Sequence, residues 1–389
     1  EDTRVTVEVI QNQLFMRSLE SPARPGNRVD GVTPISFMPR AWVAEKEYPL
    51  LWMFSDGALS TDGTELTLNF QNQQPNLLLK SIWRARPGRG PVEHWLTLEN
   101  RSGERVAIAQ QDSLSLSGLA VDSDTQVAWI KRGGGNASTQ GGTYVESCAK
   151  AIDLNLVSNC DEGATPVPWL AVQSGGEKGV YVGWEFSGLG RIAAKTGKDA
   201  SALDIQVGLL PDFKTDVEAG EVFLVPPAFV GCYLGDLDEG AYSLHQWVIT
   251  YLRPVLPEGI PDPILAYNLY LDAGGDKAKE ADVLRSAAFC QSIGFEAFMP
   301  DAMWFPACGD WRWDPARFPQ GVTPIEEYVH RTGMKLALWC AWTNGGLSED
   351  PDALSVRGPA GHPDWFDGDF APNWKPGPFY GGRVCLACP

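Results

Sequence analysis

Tryptophan and aspartate residues are concentrated in the last third of this 389-residue chain. Seven of the 15 tryptophans lie there, namely Trp304, Trp311, Trp313, Trp339, Trp342, Trp365 and Trp374. Asp301, Asp310 and Asp314 lie in the same stretch. An indole ring stacks on the C–H face of a pyranose, and carboxylates accept hydrogen bonds from its hydroxyl groups. This combination predicts a sugar-binding site, although the tryptophans could instead pack loops together, with Asp310 capping a turn.

An alternation of strands and helices is predicted around these residues. Strands are expected at 264–270, 295–300 and 335–340, with helices from Asp276 to Ile293 and from Pro324 to Arg331. The order strand, helix, strand, helix, strand is typical of a parallel sheet with crossover helices. Ligands bind such sheets at the carboxyl ends of the strands. Most of the tryptophans and aspartates follow predicted strands, so we expect them at that edge.

The first 253 residues have a different pattern. Short runs with period-two alternation of apolar and polar residues are separated by Gly, Asn, Asp and Pro, as in 5–10, 65–70 and 93–98. This pattern is typical of an antiparallel sandwich. We therefore predict a multidomain β plus α/β protein with three parts. A large antiparallel β-sandwich spans 1–253, a proline-rich linker spans 254–262, and an α/β segment spans 263–389.

The α/β segment is predicted to be the first part of a (β/α)8 TIM barrel. Such barrels have about 200–250 residues, and the segment from residue 263 is shorter than that. We expect it to contain only the first strands and helices of a truncated catalytic barrel. A small open α/β domain is the alternative interpretation.

Six sequence blocks in this segment resemble glycoside hydrolase family 36, the α-galactosidase and α-N-acetylgalactosaminidase family. The resemblance concerns the N-terminal part of that family only. It rests on the order and spacing of the blocks more than on any single one of them. The blocks are GFEAFMPD at 294–301, Trp304-Phe305, Gly309-Asp310-Trp311, FPQG at 318–321, GMKLALW at 333–339 and HPDW at 362–365.

The resemblance implies a retaining, exo-acting hydrolase of terminal α-linked galactose or of a 2-amino or 2-acetamido galactose. In the family both catalytic carboxylates are aspartates on later barrel strands. The nucleophile follows a K-x-D-x-N pattern that is absent from this chain, so the catalytic residues stay unknown and are expected beyond residue 389. Catalysis by Asp301 itself is the alternative. The residues expected to bind substrate are Asp301, Trp304, Cys308, Asp310, Trp311, Trp339, Trp342 and Arg383.

Two departures from the family pattern concern substrate choice. The family usually has a second aspartate directly after the one matched by Asp301, and this chain has Ala302. An acidic residue and a proline usually follow the third strand, where this chain has Cys340, Ala341 and Trp342. Losing a carboxylate and gaining an indole alters the charge and shape of a pocket, so an amino sugar competes with plain galactose as the expected substrate.

The net charge of −18 argues against two partner classes. Such an acidic chain repels nucleic-acid phosphates and anionic membranes. No apolar run approaches the roughly 18 residues that span a bilayer. We expect no cofactor and no metal, since neither His94 nor His245 has a second histidine at metal-ligand spacing. A homo-oligomer is possible, and location is left open between the cytoplasm and the exterior of what we expect to be a bacterial cell.

Three further interpretations stay open at this stage. Cys148 and Cys160 flank a loop and could form a local disulfide in an oxidising compartment. Cys385 and Cys388 form a C-x-x-C pair that is interpreted as buried thiols in a strand. A non-catalytic carbohydrate-binding protein, which uses the tryptophan cluster to hold sugar, is the alternative to the enzyme.

Overall fold

The computed structural model describes the chain in ten stretches. They are residues 1–133, 141–158, 165–197, 201–260, 262–271, 278–302, 304–306, 311–340, 366–367 and 383–384. The chain divides into two units, Glu1–Arg253 and Pro254–Pro389. The predictions for Cys160, Cys308, Asp310, Trp342, Cys385 and Cys388 lie outside the described residues.

Unit 1 consists almost entirely of β-strands. The first ten are β1 (Arg4–Ile10), β2 (Gln13–Glu20), β3 (Pro34–Ile35), β4 (Arg40–Val43), β5 (Lys46–Pro49), β6 (Met53–Leu59), β7 (Glu65–Asn72), β8 (Leu77–Ala85), β9 (Val92–Asn100) and β10 (Val106–Ala109). The next ten are β11 (Asp112–Ala120), β12 (Thr125–Lys131), β13 (Gly142–Ser147), β14 (Asp153–Ser158), β15 (Pro166–Ser174), β16 (Lys178–Trp184), β17 (Gly190–Thr196), β18 (Ala202–Gly208), β19 (Lys214–Val217) and β20 (Val222–Leu234).

These strands form four sheets whose pairs are all antiparallel. The largest has nine strands in the order β13-β12-β15-β16-β20-β9-β8-β7-β6. Two four-stranded sheets have the orders β19-β10-β4-β5 and β11-β18-β17-β14, and a third small sheet is β1-β2-β3. Antiparallel β-structure is therefore confirmed for this part of the chain. β20 is the longest strand in the described part of the chain, with 13 residues.

The core of unit 1 follows from the alternation along the strands. In β9 the buried residues Leu96 and Leu98 alternate with the partly exposed residues Trp95 and Thr97. Residues i and i+2 of a strand point to the same face, so each such strand contributes one apolar face. The faces of all four sheets meet in one cluster of buried side chains, which includes Leu14, Phe70, Val127 and Ile205.

A helix covers part of the nine-stranded sheet. α1 (Leu237–Trp247) begins after Asp236, whose Oδ1 accepts hydrogen bonds from the backbone N–H groups of Asp238 and Glu239. Trp247 is buried against Phe229. Gly183 lies opposite Phe229 on the sheet, where a Cβ atom would come 2.0 Å from the ring, so only glycine fits beneath it.

His94 is a core residue of unit 1. Its ring is fully buried and stacks on Trp83, with the ring centroids 3.9 Å apart. Nε2 lies 2.8 Å from Ser81 Oγ, and Nδ1 bonds the carbonyl of Ser113. Burial lowers its pKa to about 3, so the ring is neutral. Cys148 is a buried thiol, and its possible disulfide partner Cys160 lies outside the described residues.

Unit 2 contains a three-stranded parallel sheet. Its elements are β21 (Ala266–Asn268), α2 (Glu280–Ser292), β22 (Ala297–Met299), α3 (Thr323–Arg331) and β23 (Lys335–Leu336). The strands pair in parallel in the order β21-β22-β23. A separate two-stranded ladder pairs β24 (Phe366–Asp367) with β25 (Arg383–Val384). The predicted strand, helix, strand, helix, strand order is present, with shorter strands than expected.

The predicted N-cap of α2, Asp276, lies outside the described residues, and the helix begins later than that prediction placed it. The helix begins at Glu280, and the backbone N–H of Lys279 bonds Asp282 Oδ2 at 3.1 Å. Asp282, the third residue of the helix, therefore accepts a hydrogen bond from the backbone N–H that precedes the helix. The prediction considered only a capping residue before the helix and did not consider this arrangement. Both helices end as predicted, because Gly294 and Gly333 have φ of 88° and 83°, a conformation that glycine adopts without strain.

The described stretches contain no helix with the length and apolar character needed to cross a bilayer. They also contain no group of three or more His, Cys, Asp or Glu side chains arranged to hold a metal ion.

Candidate functional site

The carboxyl ends of β21 and β22 come together through their register. Tyr267 pairs with Phe298, and Asn268 pairs with Met299. Phe298 in turn pairs with Leu336 of β23. Because parallel strands end on the same edge, the residues that follow Asn268, Met299 and Leu336 share one rim of the sheet.

Asp301 is held at this rim by hydrogen bonds to both carboxylate oxygens. Asn268 Nδ2 donates to Oδ2 at 2.6 Å, and the backbone N–H of Ala302 donates to Oδ1 at 2.6 Å. The side chain is only half-buried. An ionised carboxylate has about four acceptor positions, so two bonds leave capacity for sugar hydroxyl groups. Asp301 is thus oriented by its neighbours and still available to a ligand.

Trp304 lies beneath the rim rather than on it. Its side chain is 3% exposed and packs in the core of unit 2. Nε1–H donates to the carbonyl of Trp339 at 2.9 Å, and its own carbonyl accepts from the N–H of Asp314 at 2.9 Å. Trp304 therefore ties the segments that follow β22 and β23 together, and its indole supports other aromatic rings.

A layer of aromatic rings extends from Trp304 toward solvent. Phe305 is fully buried, with its ring centroid 4.7 Å from that of Trp311 and 6.0 Å from that of Trp339. The rings of Phe305 and Trp339 are nearly parallel, at 12°. Trp311 is 36% exposed and Trp339 is half-buried. Among the described tryptophans of this layer, Trp311 has the most exposed indole, and Trp339 and Trp313 are partly exposed.

Of the eight predicted substrate residues, the structure brings Trp304, Trp311 and Trp339 together, and Asp301 lies at the carboxyl end of β22 with Asn268 as its side-chain partner. Cys308, Asp310 and Trp342 lie outside the described residues. Arg383 lies in β25, where it pairs with Asp367 of β24. Asp314 is a turn residue, since its Oδ1 accepts from the N–H of Ala316 at 2.9 Å.

The two departures from the family pattern both fall at this rim. Ala302 is 6% exposed, so the second carboxylate of the family pattern would occupy a buried position here. Cys340 follows Trp339 directly and is an exposed residue. Desolvation of its thiol still raises the pKa, so the thiol is protonated at neutral pH. The rim therefore has Ala302 where the family pattern has a carboxylate after β22, and it presents the neutral thiol of Cys340 after β23.

Sequence reasoning missed Asn268 and Phe305. Asn268 is a polar residue at the end of an otherwise apolar strand, and that position was a usable signal for a site residue. Phe305 was noted only as part of a Trp304-Phe305 motif. Its role as the centre of the aromatic layer depends on contacts with Trp311 and Trp339, six and 34 positions away in sequence, which no local pattern reveals.

A rim with these groups can bind a hydroxylated ring. A fixed carboxylate acceptor, an amide and two accessible indole faces match the polar and apolar faces of a pyranose. The described residues supply one carboxylate at this position, whereas retaining glycoside hydrolysis uses two that are about 5–5.5 Å apart. The described rim is thus equipped for sugar binding.

Solved structures with a similar fold include a variant of the family 36 α-galactosidase AgaA from Geobacillus stearothermophilus in complex with stachyose. The two share a TM-score of 0.77 at 13% sequence identity over 96% of this chain and 59% of that one. This chain therefore spans less than two thirds of the length of that enzyme.

Curated relatives match over shorter lengths, and no protein-family model matches the chain. Alpha-galactosidase Mel36A of Lactobacillus acidophilus is 25% identical over 158 residues, which are 37% of this chain and 21% of that protein. The A type blood alpha-D-galactosamine galactosaminidase of Flavonifractor plautii is 24% identical over 183 residues, which are 44% of this chain and 16% of that protein. The resemblance inferred from the sequence blocks is thereby confirmed: the chain has the fold of the N-terminal part of the glycoside hydrolase family 36 α-galactosidases.

Proposed function

We propose that this chain is the N-terminal part of a retaining, exo-acting glycoside hydrolase that releases a terminal α-linked galactose or amino galactose. The observation that carries the proposal is Asp301 at the end of β22, held by Asn268 beside the aromatic layer. The match over 96% of the chain to an α-galactosidase fold supports it.

The proposed role of the rim is to hold the terminal sugar. Asp301 accepts hydrogen bonds from its hydroxyl groups, and Trp311 and Trp339 stack on its C–H face. Trp304 contributes by supporting these indoles. On the family resemblance, Cys308, Asp310, Trp342 and Arg383 are proposed as further contacts.

The proposed reaction needs two carboxylates that we place beyond residue 389. One attacks the anomeric carbon and expels the aglycone, while the other donates a proton to the leaving oxygen and then activates water. The net configuration at the anomeric carbon is retained. The parallel sheet of unit 2 is proposed as the first part of the (β/α)8 barrel that carries both groups. A homo-oligomer is proposed for the complete protein.

Ala302 bears on which sugar is released. A carboxylate at this buried position would accept hydrogen bonds from sugar hydroxyl groups. Without it, the site discriminates less strongly between sugars that carry those hydroxyl groups and sugars that lack them. The similarity to a protein named as a galactosamine galactosaminidase supports a 2-amino or 2-acetamido substrate. Similarity to α-galactosidases supports plain galactose. We propose that the site accepts one of these two sugar types and rejects the other.

The test is hydrolysis by the complete gene product. Aryl α-galactoside, α-N-acetylgalactosaminide and α-galactosaminide are compared at equal concentration, and the first-formed anomer is identified by proton NMR. Cleavage of one sugar type with retention supports the proposal. An inverted product contradicts the retaining mechanism. No cleavage of any of the three overturns the enzyme and favours a non-catalytic carbohydrate-binding protein.

A further inference from the structure

An outward-facing tryptophan lies in the four-stranded sheet β19-β10-β4-β5 of unit 1, within a row of paired residues. Asp216 of β19 pairs with Ala107 of β10, Ala107 pairs with Trp42 of β4, and Trp42 pairs with Glu47 of β5. Directly paired residues point to the same face of a sheet. Their neighbours Ala41, Val106, Ile108 and Val217 are buried, so the row faces solvent.

The small side chain of Ala107 leaves a groove between Trp42 and Asp216. The groove has a volume of about 340 Å³, at the low end of the roughly 300–1,000 Å³ of small-molecule sites. Its lining consists of Trp42, Ala44, Glu45, Arg105, Ala107, Lys214 and Asp216. All these residues belong to unit 1.

Charged hydrogen-bonding groups of both signs surround the indole. Lys214 Nζ lies 5.3 Å from the ring centroid of Trp42, and Arg105 Nη1 lies 3.4 Å from Asp216 Oδ2. Within the described stretches, neither Lys214 nor Glu45 takes part in an ion pair. Glu45 is presented by the tight turn between β4 and β5, in which Ala44 and Glu45 have φ of 47° and 68°. This conformation matches the type I′ turns of two-residue hairpins.

This lining fits a sugar better than a lipid or a purely ionic ligand. The apolar surface is one indole, which is too small for an acyl chain. Lys214 Nζ and Arg40 Cζ lie 5.3 and 5.5 Å from its ring centroid, so a sugar ring that stacks on the indole displaces one of these two flexible side chains. The acceptors Asp216 and Glu45 and the donors Lys214 and Arg105 can bond hydroxyl groups around the edge of the ring. Their charges nearly cancel, so a neutral polyol is favoured over a strongly charged ligand.

We propose that the Trp42 groove, which is built from unit 1 residues only, is a second carbohydrate-binding site for the sugar rings of α-galactosyl oligosaccharides. Only the choice of sugar rests on the proposed function. Such a site raises the concentration of substrate at the protein without taking part in bond cleavage. In stachyose, a tetrasaccharide, several rings are available to stack on Trp42.

The experiment measures stachyose binding to the 389-residue chain by isothermal titration calorimetry. Trp42→Ala removes the indole, and Ala107→Leu fills the groove while leaving Trp42 in place. Trp95→Ala is the matched control, because Trp95 is also half-buried on a strand with a stacked cation, Arg84, at 4.6 Å. Asp301→Ala separates the rim from the groove. Circular dichroism and thermal unfolding confirm that each variant is folded.

We expect Trp42→Ala and Ala107→Leu to weaken one binding event at least tenfold, while Trp95→Ala and Asp301→Ala leave that event unchanged. Equal affinities for the wild type, Trp42→Ala and Ala107→Leu overturn the proposal, as does an absence of binding by the wild type. The two proposals fail separately. Trp42-dependent binding without hydrolysis by the complete product rejects only the enzyme, and hydrolysis without Trp42-dependent binding rejects only the groove.

Discussion

Asn268 Nδ2 lies 2.6 Å from Oδ2 of Asp301, and this hydrogen bond joins the carboxyl ends of two neighbouring parallel strands. The two residues are 33 positions apart. The amide can donate and the carboxylate can only accept, so the bond fixes the carboxylate without neutralising it.

We predict that Asp301→Ala in the complete protein lowers kcat/KM for an aryl α-galactoside at least 100-fold, because a substrate acceptor is lost. Asn268→Ala should lower it about tenfold, since the carboxylate remains but is less well oriented. Steady-state kinetics measures both values. Glu296→Ala is the control, because Glu296 Oε2 bonds the N–H of Leu265 at the opposite end of the strands. An effect of that control as large as that of Asn268→Ala would contradict the positioning role.

Substitution of Trp304 should mainly lower stability, whereas substitution of Trp311 should mainly weaken substrate binding. Trp304→Ala leaves a cavity in the core of unit 2 and breaks the bond to Trp339, and comparable substitutions lower the free energy of unfolding by about 3–5 kcal/mol. Trp311→Ala changes an accessible residue and should cost less than about 1 kcal/mol while raising KM. Urea unfolding and kinetics test the pair. If Trp311→Ala destabilises as strongly as Trp304→Ala, Trp311 is a packing residue.

His94 should make unit 1 sensitive to acid. Burial lowers its pKa to about 3, whereas the unfolded chain has a histidine pKa of about 6.5. The neutral ring therefore contributes full stability above pH 6.5, and stability falls as pH decreases from 6.5 toward 3. The slope for one proton is at most about 1.4 kcal/mol per pH unit. His94→Gln should flatten urea-unfolding stability between pH 6.5 and 4, and an unchanged slope would contradict this origin.

Glu185 should lower stability as the pH rises, which is the opposite of the pH dependence expected from His94. Burial and, to a lesser extent, the nearby charge of Glu93 raise its pKa to about 7, and Oε1 is buried with no hydrogen-bond partner in the described part of the chain. The folded state keeps its proton longer than the unfolded state, so stability falls as pH rises from about 4.5 to 7. Glu185→Gln should stabilise the protein above pH 7 by up to about 3 kcal/mol.

Below pH 4.5, Glu185→Gln should have little effect, because the carboxyl is then protonated in both states. The free energy of unfolding of the wild type and of Glu185→Gln is measured in urea at pH 4 and at pH 8. Glu177→Gln serves as the control, since its side chain is 70% exposed. Equal effects at the two pH values would reject the buried proton as the cause.

Local patterns predicted the elements well and the contacts of the site poorly. Alternation located the strands of unit 1, and glycines at 294 and 333 located the ends of both helices. The same methods could not order nine strands into one sheet, because pairing such as Ala228 with His94 joins segments far apart in sequence. They also could not distinguish buried Trp304 from accessible Trp311, since both lie in the same aromatic-rich segment and differ only in tertiary packing.

The three short strands of unit 2 have a consequence for handling the protein. In the described part of the chain, β21 and β23 each pair with β22 alone, so within that part the outer edge of each strand has no pairing strand. An open edge of this kind can recruit a strand from another molecule. The 389-residue chain expressed by itself should therefore self-associate through unit 2 in a concentration-dependent way. In the barrel proposed above, further strands would pair with these edges, so this association should be suppressed.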